Sequence, residues 1–437
     1  MPSDTPPRPG RRVAVVGGLR TPFVKAGTDF KELSSIDLAA AVVNELVART
    51  DVPVDEYDLV TFGEVIPSTV ATIFGREVVL RTQLPRSVEA HTVSRACATS
   101  IQATTSAADQ IALGHAGLAI AGGAESVSDA PIFAGRTLAH ALVALSRARS
   151  VGERLAILSR LRPRDLAPVA PGLTEPTTGL TMGQSAEVMA RKNGISREAQ
   201  DAFALRSHQR AAAAWEAGRF DGEVMHLAVP PSYATVSSRD NIVRKETTLE
   251  QLAGLKPVFD RKYGSLTAGN SSPLTDGAAA VLLASEEKAK ALGLAPLAFI
   301  RSYGYAALDP SEQLLQGPAF AAPIALDRAG LTLADMDLVD MHEAFAAQVL
   351  SNLQWFASRS FAERIGRKEP LGEIDPARLN VNGGSIALGH PFGATGARML
   401  LQTAREMVRR KAGHALLTIC AAGAIGAAVV LDGPESR

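Results

Sequence analysis

Two cysteines are the first candidates for chemistry in this chain of 437 residues. Cys97 lies in a run of small residues at the predicted start of a helix, where the helix dipole and free N–H groups favour the nucleophilic thiolate. A buried structural thiol is the alternative for Cys97. Cys420 ends an apolar strand before further small residues, a common site position in α/β folds. By position alone, Cys420 is more typical of a core residue.

Two histidines form the second group of candidates. His390 lies in a loop with glycines at 383, 384, 389, 393 and 396, which lets the backbone approach a ligand closely. A histidine held in such a loop can act as a base, and a hydrogen-bonded turn residue is the alternative. His342 follows a predicted strand and could face the same place. His342-Glu343 begins like the zinc motif H-E-x-x-H, but Ala346 replaces the second ligand, so we expect no metal there.

Composition excludes several classes of protein. Lys plus Arg and Asp plus Glu each number 45, so the formal net charge is zero, whereas nucleic-acid binders usually carry a basic excess. We therefore expect no nucleic-acid partner. Two cysteines are too few for a disulfide-dense secreted scaffold. The sequence has no G-x-x-x-x-G-K-[ST] loop and no G-x-G-x-x-G after its first strand, so a Rossmann dinucleotide site is not expected.

The longest apolar run, residues 415–431, raises the question of a membrane span. It has 17 uncharged residues, fewer than the ~20 that a spanning helix needs, and it contains Gly423 and Gly426. We interpret the run as two buried strands joined by a turn. The apolar stretch at residues 13–18 is too short for a signal peptide core. We expect a cytoplasmic protein with a flexible tail at residues 1–11.

Two short segments recur in the same order along the chain. Residues 114–120 match residues 413–419 at five of seven positions, and residues 58–64 match residues 337–343 at four of seven. Strands are predicted at 12–16, 58–62 and 118–121, and helices at 37–49, 97–113 and 395–411. Alternating strands and helices indicate layered α/β structure, and the ordered repeats indicate two duplicated halves.

The region between the halves differs in character. We predict an N-terminal half at 12–130 plus 266–290, a loop domain at 131–265 that covers the substrate, and a C-terminal half at 291–437. Within the loop domain, helices are predicted at 183–192 and 196–216. The Arg-rich segment, residues 136–164, carries seven arginines and leucines at helical spacing. It is a solvated face, a surface for an anionic membrane, or a docking site for another subunit.

The motifs around these residues resemble those of the thiolase family. Residues 93–102, which include Cys97, resemble its nucleophile segment, and residues 383–396 are similar to its G-G-x-I-x-L-G-H-P-x-G-x-[ST]-G signature. Residues 420–426 resemble the block around its second catalytic cysteine. Residues 20–23, 122–126 and 267–272 match as well, so the resemblance covers nearly the whole chain. The His342-Glu343-Ala344-Phe345 motif, the Arg-rich insertion and the Cys420-Ala421-Ala422-Gly423 segment favour the 3-ketoacyl-CoA thiolases of the trifunctional-enzyme β-subunit type.

The resemblance implies a thiolase-like fold, with two duplicated α/β halves in a five-layer arrangement and an inserted loop domain. It implies thiolytic cleavage of a 3-ketoacyl-CoA by CoA to acetyl-CoA and a shortened acyl-CoA, the last step of fatty-acid β-oxidation. The reaction would pass through an acyl-cysteine intermediate. No cofactor or metal is implied, because coenzyme A is a substrate and the net reaction is acyl transfer.

The resemblance also implies a role for each site residue. Cys97 would be the nucleophile, His390 the base and Cys420 the acid/base. His390 and a water held at His342 would stabilise the enolate oxygen, and the backbone N–H groups of Cys97 and Ala422 would form the second oxyanion hole. Substrate or CoA would contact Ser272 and Met182.

The partners implied are acyl-CoA, CoA and further copies of the chain, in a homodimer or a dimer of dimers. An α-subunit with hydratase and dehydrogenase activities is a further candidate partner. A biosynthetic acetoacetyl-CoA thiolase is one alternative function, against which the insertion and His342 argue. A non-catalytic acyl-CoA-binding or scaffold subunit is another, although both cysteines and His390 are retained. Ala422 and Ala424 stand where many thiolases have glycine, and Ala424 is the less expected of the two.

Overall fold

The computed structural model describes residues 10–169, 172 and 174–436, so most of the predicted tail lies outside the described residues. Strands are numbered in chain order: β1 (Val13–Arg20), β2 (Val24–Lys25), β3 (Leu59–Gly63), β4 (Glu89–Val93), β5 (Leu118–Glu125), β6 (Phe133–Ala134), β7 (Pro168–Val169), β8 (Leu227–Ala228), β9 (Val236–Ser237), β10 (Thr275–Ser285), β11 (Ala298–Ala307), β12 (Leu338–Met341), β13 (His414–Ala421) and β14 (Ile425–Asp432).

The α-helices are numbered in the same way: α1 (Ser35–Thr50), α2 (Phe74–Leu80), α3 (Thr99–Ala112), α4 (Arg136–Arg147), α5 (Val151–Leu158), α6 (Met182–Lys192), α7 (Arg197–Glu216), α8 (Leu249–Ala253), α9 (Glu286–Ala291), α10 (Gly317–Ala329), α11 (Ala346–Phe356), α12 (Arg359–Arg364), α13 (Ser385–Leu388) and α14 (Thr395–Arg410).

The main sheet has an internal symmetry that confirms the duplication. Its strand order is β12-β13-β14-β11-β1-β10-β5-β3-β4. The two halves of the sheet meet where β1 lies beside β11, and the same pattern runs outward on each side. The first two pairs of neighbouring strands are antiparallel and the next pair is parallel. The recurring segments at 58–64 and 337–343 cover β3 and β12, and those at 114–120 and 413–419 lead into or cover β5 and β13. The sequence matches therefore lie on equivalent strands.

Three apolar clusters hold five layers together. The central cluster holds α3 and α14 between the two halves of the sheet, with inward residues of β1, β5, β10, β13 and β14. A second cluster packs α1 and α2 on the outer face of the N-terminal strands. A third packs α10 and α11 on the outer face of the C-terminal strands. Alternate residues of each strand enter different clusters because side chains alternate across a strand.

Most predicted elements are present with small shifts at their ends. The apolar run 415–431 forms β13 and β14 with the turn between them, as expected. Ser196 caps α7 by accepting a hydrogen bond from the Ala199 N–H. The predicted helix at 97–113 was placed too early, because α3 begins at Thr99 and Cys97 precedes it.

The Arg-rich segment forms the helical pair α4 and α5, which contact each other. All residues of both helices are described, and none of them is buried. Their exposed apolar side chains are Leu142, Val143, Val151, Leu155 and Leu158. Among the described helices, none is long and apolar enough to cross a membrane. The predicted domain boundaries remain predictions.

Candidate active site

The four predicted catalytic side chains come from separate elements that meet at one end of the central layer. Cys97 precedes α3, His390 precedes α14, His342 follows β12 and Cys420 lies near the end of β13. The thiol of Cys97 and one ring nitrogen each of His342 and His390 all lie within 4.8 Å of one another. The fold thus brings together residues that are far apart in sequence.

Cys97 and His390 form a direct pair, with Cys97 Sγ 3.2 Å from His390 Nε2. The other ring nitrogen, Nδ1, lies 2.7 Å from Thr395 Oγ1, and that hydroxyl donates to the Pro391 carbonyl at 2.9 Å. Both bonds of Thr395 are made at once if Nδ1 carries the proton. The lone pair of Nε2 then faces the thiol, which is the arrangement that a base requires.

The resting pair is neutral, contrary to the thiolate that the predicted helix start favoured. Burial raises the pKa of Cys97 to about 12, opposed by the N–H groups of Ala422 and Cys97 itself. Burial also lowers the pKa of His390 to about 3, and the positive charge of Arg398 adds to this. Desolvation disfavours either charged form. Cys97 is therefore a protonated thiol in the resting site.

A strained turn presents the Cys97 thiol. Ala96 has φ 46°, in the left-handed region that residues with a side chain rarely adopt. The Arg95 N–H donates to Thr99 Oγ1 at 2.8 Å, which joins this turn to the first residue of α3. Strain of this kind is found at functional sites where the surroundings impose it.

Cys420 is a second free thiol in the described structure and is only 1% exposed. Burial raises its pKa well above the ordinary value, and the proximity of Cys97 raises it further. Its neighbours in an apolar cluster include Ala344, Phe345 and Ala424. Cys420 therefore keeps its proton and is a candidate proton donor.

His342 stands beside His390, with 4.2 Å between the ring centroids. Its backbone N–H donates to the Thr418 carbonyl of β13 at 2.9 Å. Its Nδ1 lies 3.0 Å from Ser385 Oγ. Burial lowers the pKa of His342 well below the ordinary value, with further lowering by His390 and Arg398. His342 is therefore a neutral imidazole.

The two predicted substrate contacts lie near this group. The Ser272 N–H donates to the Ala344 carbonyl at 2.9 Å, so Ser272 adjoins the loop that carries His342. Met182, the first residue of α6, is half-buried against the apolar cluster that contains Cys420. Both positions are compatible with a substrate channel, and their contacts with a ligand remain predictions.

Two glycines of the His390 loop lie in very close contact with other segments of the chain. A Cβ at Gly384 would lie 2.2 Å from the Glu343 carboxyl carbon. A Cβ at Gly393 would lie 2.5 Å from the Ala124 carbonyl oxygen. Such distances are too short for real contacts, so glycine at 384 lets the loop approach Glu343, and glycine at 393 lets the loop approach the N-terminal half.

Ala424 occupies the turn that the resemblance brought into question. Its φ is 55°, and its side chain is fully buried in the same cluster as Cys420. The neighbouring Gly423 also has a positive φ, of 77°. The turn therefore accepts an alanine in a conformation that favours glycine, at a cost of roughly 1–2 kcal/mol.

Several residues that support the site were not predicted from sequence. Glu125, at the end of β5, is buried and accepts hydrogen bonds from the Val65, Ile66 and Gly393 N–H groups at 3.1, 3.0 and 3.1 Å. Burial raises the pKa of Glu125 to about 8. The signal in the sequence that could have identified Glu125 is an acidic residue at the end of an apolar strand. Thr395 stands at the Ser/Thr position of the signature, whereas no pattern in the sequence marks Ser385 or Arg398 as neighbours of His342.

Comparisons with known proteins agree with this geometry. The chain matches the family model described as "Thiolase, N-terminal domain" over residues 13–287 and "Thiolase, C-terminal domain" over residues 294–433. It is 52% identical to a 3-ketoacyl-CoA thiolase of Yersinia enterocolitica over 426 residues, or 97% of this chain and 98% of the relative. A 3-ketoacyl-CoA thiolase of Yersinia pestis is 53% identical with the same coverage.

Solved structures give the same result. A Bacillus anthracis acetyl-CoA acetyltransferase superposes with a TM-score of 0.83 at 33% identity. Human mitochondrial 3-ketoacyl-CoA thiolase superposes with a TM-score of 0.81 at 34% identity. In both cases the match covers 97% of this chain and 99% of the other.

Proposed function

This chain belongs to the thiolase family, and we propose that it cleaves a 3-ketoacyl-CoA with CoA to give acetyl-CoA and a shortened acyl-CoA. This reaction is the last step of fatty-acid β-oxidation. The observation that carries the proposal is the neutral Cys97–His390 pair at 3.2 Å, with the protonated thiol of Cys420 close by. One nucleophile, one base and one separate acid are what the reaction needs.

In the first step, Cys97 attacks the 3-keto carbon and its proton passes to Nε2 of His390. The geometry supports this transfer, since the Nε2 lone pair already faces the thiol. The bond between C2 and C3 then breaks. The acyl part remains on Cys97 as a thioester, and the electron pair remains on C2 of the acetyl-CoA enolate.

In the second step, Cys420 gives its proton to C2 and acetyl-CoA leaves. The Cys420 thiolate next takes the proton of the incoming CoA thiol. The CoA thiolate attacks the acyl group, which expels Cys97, and His390 returns the proton to Cys97. Protons and acyl groups balance among side chains and substrates, so the proposal uses CoA as a substrate and no cofactor.

Two oxygen atoms gain negative charge along this path. The N–H groups of Cys97 and Ala422 are directed at the Cys97 sulfur, which supports their proposed role towards the oxygen formed next to it. Because a backbone N–H is used, alanine at 422 serves as glycine would. His390, once protonated, and His342 adjoin the enolate oxygen. Losing one such donor typically costs ~10²–10³ in rate.

The test of the core assignment is intact mass after mixing with an acyl-CoA. We expect the wild type and Cys420→Ser to gain one acyl group and Cys97→Ala to gain none. Cys420→Ser should lose carbon–carbon cleavage while still accepting the acyl group. Acylation of Cys97→Ala would contradict the nucleophile, and full thiolysis by Cys420→Ser would contradict the acid/base role.

Residues 131–265 are proposed as the loop domain that covers the substrate. Met182, in this domain, and Ser272, which follows it, are proposed to contact the acyl-CoA. A chain-length profile measured with 3-ketoacyl-CoA substrates separates this function from a biosynthetic acetoacetyl-CoA thiolase. Activity on long substrates supports the proposal, whereas turnover of acetoacetyl-CoA alone contradicts it. The overall fold does not distinguish these two functions, since one structural neighbour is an acetyl-CoA acetyltransferase.

The helical pair α4 and α5 is proposed to dock a protein partner, for which an α-subunit with hydratase and dehydrogenase activities is the candidate. Exposed Leu142, Leu155 and Leu158 support this, because several exposed apolar side chains on one helical pair are typical of an interaction surface. We expect Leu155→Asp to prevent copurification with that partner while thiolysis continues. Isolation as a homodimer or dimer of dimers alone would contradict the docking proposal. Binding to anionic vesicles instead would indicate a membrane surface.

A further inference from the structure

His342 and His390 are adjacent histidines with different hydrogen-bond partners at Nδ1. Nδ1 of His390 meets Thr395 Oγ1, whereas Nδ1 of His342 meets Ser385 Oγ at 3.0 Å. Ser385 Oγ also accepts a hydrogen bond from Arg398 Nη2 at 2.9 Å. Ser385 and Arg398 are both fully buried. The hydroxyls of Thr395 and Ser385 each have one further hydrogen-bond partner. Whether that partner accepts or donates decides which nitrogen of the neighbouring histidine carries the proton.

The proton of Ser385 has one destination. A guanidinium only donates, so Ser385 Oγ must accept from Arg398. Within the described part of the chain, the other group bonded to Ser385 Oγ is Nδ1 of His342. The hydroxyl proton makes a bond if it points at Nδ1, and it is left unpaired if Nδ1 carries its own proton. A buried unpaired donor costs ~1–3 kcal/mol, so Nδ1 is the acceptor.

Nε2 of His342 consequently carries a proton. This atom is buried, and among the described residues none offers it a hydrogen-bond partner. An N–H in that position is a donor without an acceptor beside the Cys97–His390 pair. The oxygen of a bound substrate or water would satisfy it.

We propose that Ser385 and Arg398 are positioning residues that hold His342 as a neutral Nε2–H donor to a reacting oxygen. Thr395 holds His390 in the opposite tautomer, with a bare Nε2 towards Cys97. Neighbouring imidazoles thus serve as donor and acceptor in one site. Arg398 contributes a second effect, since its buried positive charge disfavours protonation of both rings. This inference rests on the proposed thiolase function.

The test compares Ser385→Ala with Ser351→Ala. Ser351 is a fully buried serine of α11 whose hydroxyl has no partner among the described residues, so it controls for hydroxyl loss in the core. We expect kcat for thiolysis to fall roughly 10- to 100-fold in Ser385→Ala, with little change in KM. This is less than the ~10²–10³ for outright loss of an oxyanion donor, because the His342 ring stays in place and only its orientation is disturbed. Ser351→Ala should retain wild-type kcat.

The same substitution is then made in a His342→Ala background. If Ser385 acts through His342, its further effect there should shrink to less than about twofold, because residues that act as a unit are non-additive. An equal effect in both backgrounds would overturn the proposal. So would a Ser385→Ala enzyme that matches Ser351→Ala. Acylation of wild-type Cys97 is followed by mass in parallel, and its absence would refute the thiolase function instead.

A spectroscopic measurement covers the case in which Ser385→Ala does not fold. Nitrogen NMR of the ¹⁵N-histidine-labelled wild type, with His342→Ala to assign the signals, reports the tautomer directly. The expected spectrum has the proton on Nε2 of His342 and on Nδ1 of His390. A proton on Nδ1 of His342 would overturn the proposal.

Discussion

Replacing Thr395 by valine removes the hydroxyl that orients His390 and keeps the shape of the side chain. In the wild type, Thr395 Oγ1 accepts from His390 Nδ1 at 2.7 Å and donates to the Pro391 carbonyl at 2.9 Å. In Thr395→Val the Nδ1 proton is buried without an acceptor. The proton then favours Nε2, where it points at Cys97 and prevents proton transfer from the thiol.

The magnitude follows from the cost of that unpaired donor. A buried unsatisfied N–H costs ~1–3 kcal/mol. If the productive tautomer becomes less stable by this amount, kcat should fall roughly 5- to 150-fold, at ~1.4 kcal/mol for each factor of ten. The KM for CoA should change little, because the substituted group does not lie on the proposed CoA contacts.

Thr104→Val is the matched control. Thr104 is a fully buried residue of α3, and its hydroxyl also donates to a carbonyl four residues earlier, that of Ser100, at 2.8 Å. Both variants lose a similar backbone bond, worth ~1 kcal/mol of unfolding free energy, but only Thr395 contacts a catalytic ring. The assay is steady-state thiolysis of a 3-ketoacyl-CoA, with thermal unfolding measured alongside. Equal kcat in the two variants would refute the tautomer argument.

Three further predictions follow from buried groups. Cys97 should show no thiolate ultraviolet absorbance at neutral pH relative to Cys97→Ala, since burial raises its pKa to about 12, and a thiolate band there would contradict the neutral pair. Glu125→Gln should lose ~1–3 kcal/mol of unfolding free energy, because an amide oxygen cannot accept all three N–H bonds. It should also lower kcat more than Glu64→Gln, which does not contact the His390 loop; equal kcat values would contradict this. Burial lowers the pKa of His208 to about 4 in the folded protein. Below pH ~6.5 the unfolded chain binds a proton that the folded protein does not, so about 3 kcal/mol of unfolding free energy is lost between pH ~6.5 and pH ~4. His208→Gln should remove that acid sensitivity in urea unfolding, whereas exposed His115→Gln should keep it; no difference between the two would contradict the assignment.

The sequence alone predicted much of the fold. Apolar runs and helical spacing located β1, β3, β5 and the β13–β14 pair, and two short repeats indicated the duplication. These signals are local, because strand and helix periodicities are carried by neighbouring residues. Motif resemblance also selected Cys97, His390, Cys420 and His342 as one site. No local pattern could have placed them within contact of each other.

Burial and contacts between distant segments decided what the local sequence could not. The start of α3 suggested a thiolate at Cys97, but desolvation of the thiol disfavours the charged form and reverses the preference. The glycines of the His390 loop suggested close approach of the backbone to a ligand, and the structure adds that Gly393 lets the loop pack against Ala124 of the N-terminal half. Both outcomes depend on segments more than 200 residues apart.

The sequence by itself determined which groups are available: two thiols, the two imidazoles of the motifs and a duplicated α/β frame. Only the tertiary structure decided how those groups are protonated. Ser385, Arg398 and Thr395 set the direction of each hydrogen bond to the two rings. A hydrogen bond to a ring nitrogen depends on the three-dimensional position of its partner, so proton placement follows from packing and not from the order of residues.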